Sequence, residues 1–247
     1  MRKRKIKVKY SYIFFGLKKD DIVLWLTECI YCGGFVYHLN DGRIKCSACH
    51  KKTSKEKINK IITLLDAFVN NETAHHCAKR LHLSYISVQK QFHTFRLLCG
   101  MVCEREYESH RHLSCEFEEY FYLEESKKAH KEAIFDAHNF LTFDYDGHIY
   151  TLLLPSLQKY KQQFLDDNIE DAYIQTFKKF KRESKLIKLK HSQNNILDFW
   201  YYFEKKICAY KGVNHKNFGY FLKEFEFKYN HSKESAKQLL IKEYFNL

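Results

Sequence analysis

Apolar positions recur along this chain with two different periods, and each change of period marks a change of element. Between Phe35 and Lys45 the segment FVYHLNDGRIK alternates apolar and polar residues on either side of Asn40-Asp41-Gly42, the pattern of a tight β-hairpin. From Lys57 the spacing lengthens: Ile58, Ile61, Ile62, Leu65, Phe68 and Val69 fall on one face of a helix. Ala74, Cys77, Ala78 and Leu81 then mark one face of a second, short helix. The chain turns through His82-Leu83, and Ser84 stands as the N-cap of a third helix that offers Ile86, Val88, Phe92 and Phe95 for packing. Period two returns in CEFEEYFYLEE from Cys115, and twice more in AIFDAHNFLTFDYDGHIYTLLLP around Asp144-Tyr145-Asp146-Gly147, a hairpin turn by composition. A polar helical stretch from Ser156 to Lys181, the short run KLIKLKH, and two helices in NILDFWYYFEKKICAY and FGYFLKEFEFKYN follow. Three successive strands, then mixed strands and helices, predict an α/β or α+β domain.

Composition narrows the class. A chain of 247 residues that is 45% hydrophobic has length for one medium domain plus small modules. A single proline and eight glycines exclude collagen-like, mucin-like and proline-rich architectures, so domain edges have to come from motifs. The apolar stretches Ile22–Leu26 and Tyr150–Leu154 fall far below the roughly 18 residues of a membrane span. The basic start MRKRKIKVKY has no apolar run and cleavage site after it, and we expect a cytoplasmic protein without a membrane partner. With 42 Lys and Arg against 30 Asp and Glu, the net charge of +12 calls for a polyanionic partner, and nucleic acid fits better than a membrane surface because no strongly amphipathic basic helix is evident.

The cysteines sharpen this. Cys29 and Cys32, then Cys46 and Cys49, make two CxxC pairs on either side of the predicted hairpin. Each CxxC turn sets two thiolates on one side of a knuckle, and the hairpin brings the pairs face to face as a closed tetrahedral S4 site, which makes a structural Zn²⁺ the expected occupant. Gly33 and Gly34 permit the tight backbone after the first pair, and His38 and His50 exceed the four-ligand set. Cys99, Cys103, His110, His112 and Cys115 form a weaker second candidate, since Cys99 and Cys103 read as small core residues; Cys77 and Cys208 also read as core, and His75 and His76 as exposed.

The helices after the ribbon carry a helix-turn-helix pattern, although its turn lacks the usual glycine. If its second helix enters the major groove of double-stranded DNA, then Tyr85, Ser87, Gln89, Lys90 and His93 are the candidates for base or phosphate contact.

The segment from His191 to Asn230, HSQNNILDFWYYFEKKICAYKGVNHKNFGYFLKEFEFKYN, resembles the closing motif of zinc-ribbon transposases of bacterial insertion sequences, the IS fifteen-ninety-five group with its ISXO-two-like domain. That motif has a His, then Asn-x-Ile-Glu-x-Phe-Trp, a Lys four residues after the Trp, a Lys/Arg-x-x-Gly turn and a Leu-x-Glu-x-Glu ending. Asn194, Ile196, Phe199, Trp200, Gly212, Phe218, Leu222, Glu224, Glu226, Phe227 and Asn230 fall on it. The ribbon, the helix-turn-helix and the first strand occur in the same order, so the resemblance spans about residue 20 to 231.

The resemblance implies a basic arm with a short helix over 1–25, a zinc ribbon over 26–53, a helix-turn-helix over 55–98, a linker over 99–114, an RNase-H-like transposase domain over 115–231 and a tail over 232–247. It implies a nucleoid-associated bacterial transposase that binds the inverted-repeat ends of its element. It also implies a DDE site in which carboxylates hold two Mg²⁺ or Mn²⁺ ions for cutting and joining strands. Carried over by position, the first acid is Glu118, with Glu116 and Glu119 beside it, and the second is Asp167, next to Asp166. At the third, Leu197 replaces the family's Glu, leaving Asp198 and Asn194 nearby, and Glu204 replaces its Lys. Two alternatives stay open: a decayed transposase or regulator that binds DNA without catalysis, and a zinc-ribbon protein that binds another protein. Whether copies assemble on DNA is also open.

Overall fold

The computed structural model describes residues 28–124, 127, 135–156, 194–210 and 213–245. Within them the chain is mixed α/β, with two three-stranded antiparallel sheets and six helices. The described residues fall into two compact units, one up to Leu65 together with those from Ile241 on, the other from Asp66 to Leu240.

The first unit holds the predicted hairpin, β1 (Val36–His38) and β2 (Arg43–Cys46), in the register Val36↔Cys46. The turn is set locally. Gly42 takes a φ of +76°, and the Asp41 carboxylate accepts from the Arg43 amide at 3.1 Å. A third strand not expected from the sequence, β3 (Lys52–Ser54), pairs with β2. Helix α1 (Lys55–Val69) follows at once, with the Ser54 hydroxyl accepting from the Lys57 amide at 3.1 Å as an N-terminal cap. Its predicted apolar face, from Ile58 to Val69, is buried.

The second unit opens as α1 ends, where Asn71 at a φ of +61° breaks the helix. Thr73 caps α2 (Ala74–Arg80), whose Cys77 and Ala78 are buried. The turn into α3 (Tyr85–His110) runs through His82 at a φ of +52°, so a histidine takes the left-handed position where glycine is usual. Val88, Phe92 and Phe95 pack inward as expected, and Phe68 meets Phe92 and Phe95 edge-on with ring centroids 5.3 and 5.5 Å apart. Ile86, expected inside, is exposed. Helix α3 does not stop at residue 98. The buried stripe continues through Cys99, Val102 and Cys103, so the helix fills most of the span read as a linker.

The second sheet is the meander β4 (Glu116–Tyr122), β5 (His138–Tyr145) and β6 (His148–Leu153), in sequential order. Asp146 and Gly147, both at positive φ, make the β5–β6 turn, and the Asp144 carboxylate accepts from the Gly147 amide at 2.7 Å. Helices α4 (Asn195–Ile207) and α5 (His215–Asn230) bury Ile196, Phe199, Trp200, Phe203, Phe218, Leu222 and Phe225 against Phe140 and Ile149 of this sheet. The Trp200 indole donates to the Thr142 hydroxyl at 2.9 Å, which lets its ring be buried without an orphaned N–H.

Most of the span expected as a tail is helical: α6 (Lys233–Phe245) buries Ala236, Leu240, Ile241 and Phe245 at helical spacing. Among the described residues no helix is long and apolar enough to cross a membrane.

Candidate metal centre and candidate nucleic-acid interface

Two short knuckles build the thiol cluster. In the first, the Cys29 amide donates to the Gly34 carbonyl at 2.6 Å, the Gly33 amide donates back to Cys29 at 2.8 Å, and Gly33 sits at a φ of +69°. In the second, the Cys46 amide donates to the Lys51 carbonyl at 3.1 Å, and His50, at a φ of +59°, occupies the left-handed corner that Gly33 occupies in the first. The β1–β2 hairpin faces the knuckles together. All four sulfurs lie within 4.8 Å of one another, with Cys29 and Cys49 3.7 Å apart and Cys32 and Cys46 3.5 Å apart. A tetrahedral Zn²⁺ with Zn–S of about 2.3 Å requires sulfurs about 3.8 Å apart, which fits this spacing.

The electrostatics favour a cation. Amides of Cys49 and Ala48, at 3.4 and 3.3 Å from the Cys46 sulfur, lower that thiol's pKa to about 6, whereas burial pushes Cys29 up to about 12. Four thiolates at this spacing repel one another, and a divalent ion is the charge that lets all four ionise. Gly34 is needed for closeness rather than for its φ: a Cβ there would stand 2.9 Å from the Ala48 Cβ and 3.2 Å from the Cys46 sulfur. His38 and His50 are exposed and outside the cluster.

Cys99 and Cys103 are buried in α3, and burial raises both thiols far above the ordinary range, as suits core residues rather than ligands. Cys77 is buried too, but Cys208, expected in the core, is exposed just beyond α4.

All five residues expected to touch DNA, Tyr85, Ser87, Gln89, Lys90 and His93, are exposed on the first two turns of α3 or just after. Arg80 does not join them, because its guanidinium is held by the Glu72 carboxylate at 2.6 and 2.9 Å.

The acids expected to hold catalytic metals are dispersed in role. Glu118 is half-buried on β4 opposite Thr142. Asp198 is exposed in the first turn of α4, and Asn194 caps that helix, its side-chain oxygen accepting from the Ile196 amide at 2.8 Å. Leu197 packs against the core, and Glu204 accepts a hydrogen bond from the Tyr120 hydroxyl. Asp166 and Asp167 lie outside the described residues. Among those described, the four thiols form the one cluster with metal-ligand spacing.

What sequence reasoning missed is a buried charge network that joins α3 to α5. The Glu224 carboxylate takes Arg96 at 2.6 Å and Lys228 at 2.5 Å, and Lys228 also donates to the Phe68 carbonyl at 2.7 Å. Burial works against its charge, yet the adjacent Lys228 and Arg96 hold the Glu224 pKa below the usual carboxylate value. Two residues on, Glu226 accepts from both the amide and the hydroxyl of Thr151, at 2.9 and 2.5 Å, and Asn230 exchanges hydrogen bonds with the Ile149 backbone. The available signal was a Glu-x-Glu-x-Lys pattern inside the aromatic helix FLKEFEFKYN, where charges without partners would not be tolerated.

Comparison with protein-family models, with curated proteins and with solved structures finds no match for this chain.

Proposed function

We propose that this chain is a DNA-binding protein of the zinc-ribbon transposase kind, which holds duplex DNA through the first turns of α3 and cuts and joins strands from an RNase-H-like domain built on β4, β5 and β6. One observation carries the binding half: five side chains suited to base and phosphate contact, Tyr85, Ser87, Gln89, Lys90 and His93, are exposed together at the start of a helix whose opposite face is locked into its unit by Phe92, Phe95 and Arg96. A reading helix must be rigid where it packs and free where it reads. The structural Zn²⁺ held by Cys29, Cys32, Cys46 and Cys49 organises the first unit and takes no part in chemistry, because a closed S4 site leaves no open position. The net charge of +12 supplies the long-range attraction to a polyanion, and such a protein resides with the bacterial nucleoid.

Strand chemistry rests on Glu118 and Asp167 as oxygen ligands for Mg²⁺ or Mn²⁺, which would polarise the phosphate and activate the attacking hydroxyl. A second reading, DNA binding without cleavage, is favoured by Leu197 packing against the core and by Asn194 using its side-chain oxygen for a helix cap. One experiment separates them. Purified protein with Mg²⁺ or Mn²⁺ should bind duplex DNA with steep salt dependence and nick element ends, and Asp167→Ala should abolish nicking with binding unchanged. Salt-dependent binding without nicking in either metal selects the second reading, and binding that ignores salt refutes both.

A further inference from the structure

Helices α3 and α5 run in the same direction, with contacts from His93 and Tyr220 near one end to Glu106 and His231 near the other. Between them and the end of β6 lies a groove of about 300 Å³, whose walls include Leu97, Gly100, Leu153, Lys216, Gly219 and Tyr220. Two observations connect it to the reading face of α3. His93, one of the five candidate contacts, meets the Tyr220 ring edge-on at 4.9 Å, so the first turns of α5 adjoin the exposed start of α3. Lys216 is exposed, and among the described residues no carboxylate pairs with it. The other two cations that line the groove are engaged, Lys223 by Glu104 and Glu226 and Arg96 by Glu224. Among the described residues Lys216 is the unpaired cation of a groove whose Glu104 is already taken by Lys223, and it stands beside the apolar Leu97 and Leu153, which suits a ligand with a charged edge and an apolar face. A nucleic-acid strand has both, in its phosphates and its sugars.

We infer that the α3–α5 groove is a second DNA contact, in which the strand flanking the segment read by α3 sets a phosphate on Lys216 and its sugar edge against Leu97 and Tyr220. This rests on the DNA-binding reading above and extends its footprint from one helix to two. Gly100 keeps the channel open, since a Cβ at that position meets nothing within 4 Å. Lys216 neutralises a backbone charge without reading a base, so it adds affinity for any sequence.

The test uses the full chain, a mixed-sequence duplex and a salt titration of the dissociation constant. Lys90→Gln should lower the slope of log K against log salt by about 0.9, the value of one phosphate contact, and Lys216→Gln should lower it by the same amount. Lys205→Gln, an exposed change on α4 that belongs neither to the reading face of α3 nor to the groove lining, should leave the slope unchanged. Gly100→Leu should fill the groove and weaken binding several-fold with unchanged circular dichroism and melting temperature. If Lys90→Gln lowers the slope and Lys216→Gln does not, or if Gly100→Leu folds and binds as the parent does, the groove contact is refuted and the reading of α3 stands. If the parent protein shows no salt-dependent binding, both fall.

Discussion

Removing the charge of Glu224 should strongly destabilise the second unit. The side chain is fully buried and is the shared partner of two buried cations, Arg96 and Lys228, in a triad of net charge +1. Glu224→Gln keeps the shape and leaves two cations confronting each other without a counter-charge. Taking one partner from a buried ion pair costs about 3–5 kcal/mol. Lys228 retains the Phe68 carbonyl and the Asn71 side chain as acceptors, so the lower part of that range applies if its ammonium sheds its proton, a step that burial already favours by lowering its pKa. For a unit of this size, about 2–4 °C per kcal/mol gives a fall in melting temperature of roughly 6–20 °C. Urea unfolding followed by tryptophan fluorescence would report the unit through Trp200, with zinc content measured in parallel to show the thiol site intact. Glu224→Gln combined with Lys228→Met should recover part of the loss, because only one cation then lacks a partner. A single variant within about 1 kcal/mol of the parent would refute the triad as a structural tie, since that is the scale of an exposed ion pair.

The other predictions are more local. Gly34→Ala should lower zinc retention against a chelator, since its Cβ would crowd the Ala48 Cβ at 2.9 Å and the Cys46 sulfur at 3.2 Å, and Cys46→Ser should reduce the zinc content from about one per chain; equal retention in the parent and Gly34→Ala would refute the close-approach argument. His138 stacks on Phe218 with ring centroids 3.8 Å apart, and burial lowers its pKa from 6.5 to about 3, so it stays neutral when folded and takes up a proton on unfolding below 6.5. Its contribution falls as pH drops from 6.5 towards 3, by up to about 1.4 kcal/mol per pH unit, and His138→Phe should flatten the acid limb of a stability-against-pH curve. For Glu226 the sign reverses: burial raises its pKa, so its contribution declines as pH rises above its unfolded value, and Glu226→Gln should cost less at pH 7 than at pH 4.5 in urea titrations.

Local patterns along the chain determined the thiol knuckles, the Asn40-Asp41-Gly42 turn, the Asp146-Gly147 turn and the faces of α1 and α2, because each depends on residues within a few positions of one another. The same short reach explains the errors. The resemblance implies a linker over 99–114, yet Cys99, Val102 and Cys103 extend the buried stripe of α3, and Cys103 meets the Lys223 backbone, distant in sequence. It also implies a tail over 232–247, although Ala236, Leu240 and Phe245 are spaced for a helix that needs a surface to cover. Sequence alone placed Cys46 and Cys49 opposite Cys29 and Cys32, since a hairpin of known length joins them. It had no means of joining Arg96 to Glu224, which stand 128 residues apart, or Glu226 to the backbone of Thr151. Such pairs exist only after the helices have packed, when the loss of water makes an unpartnered charge intolerable and decides which side chains must meet.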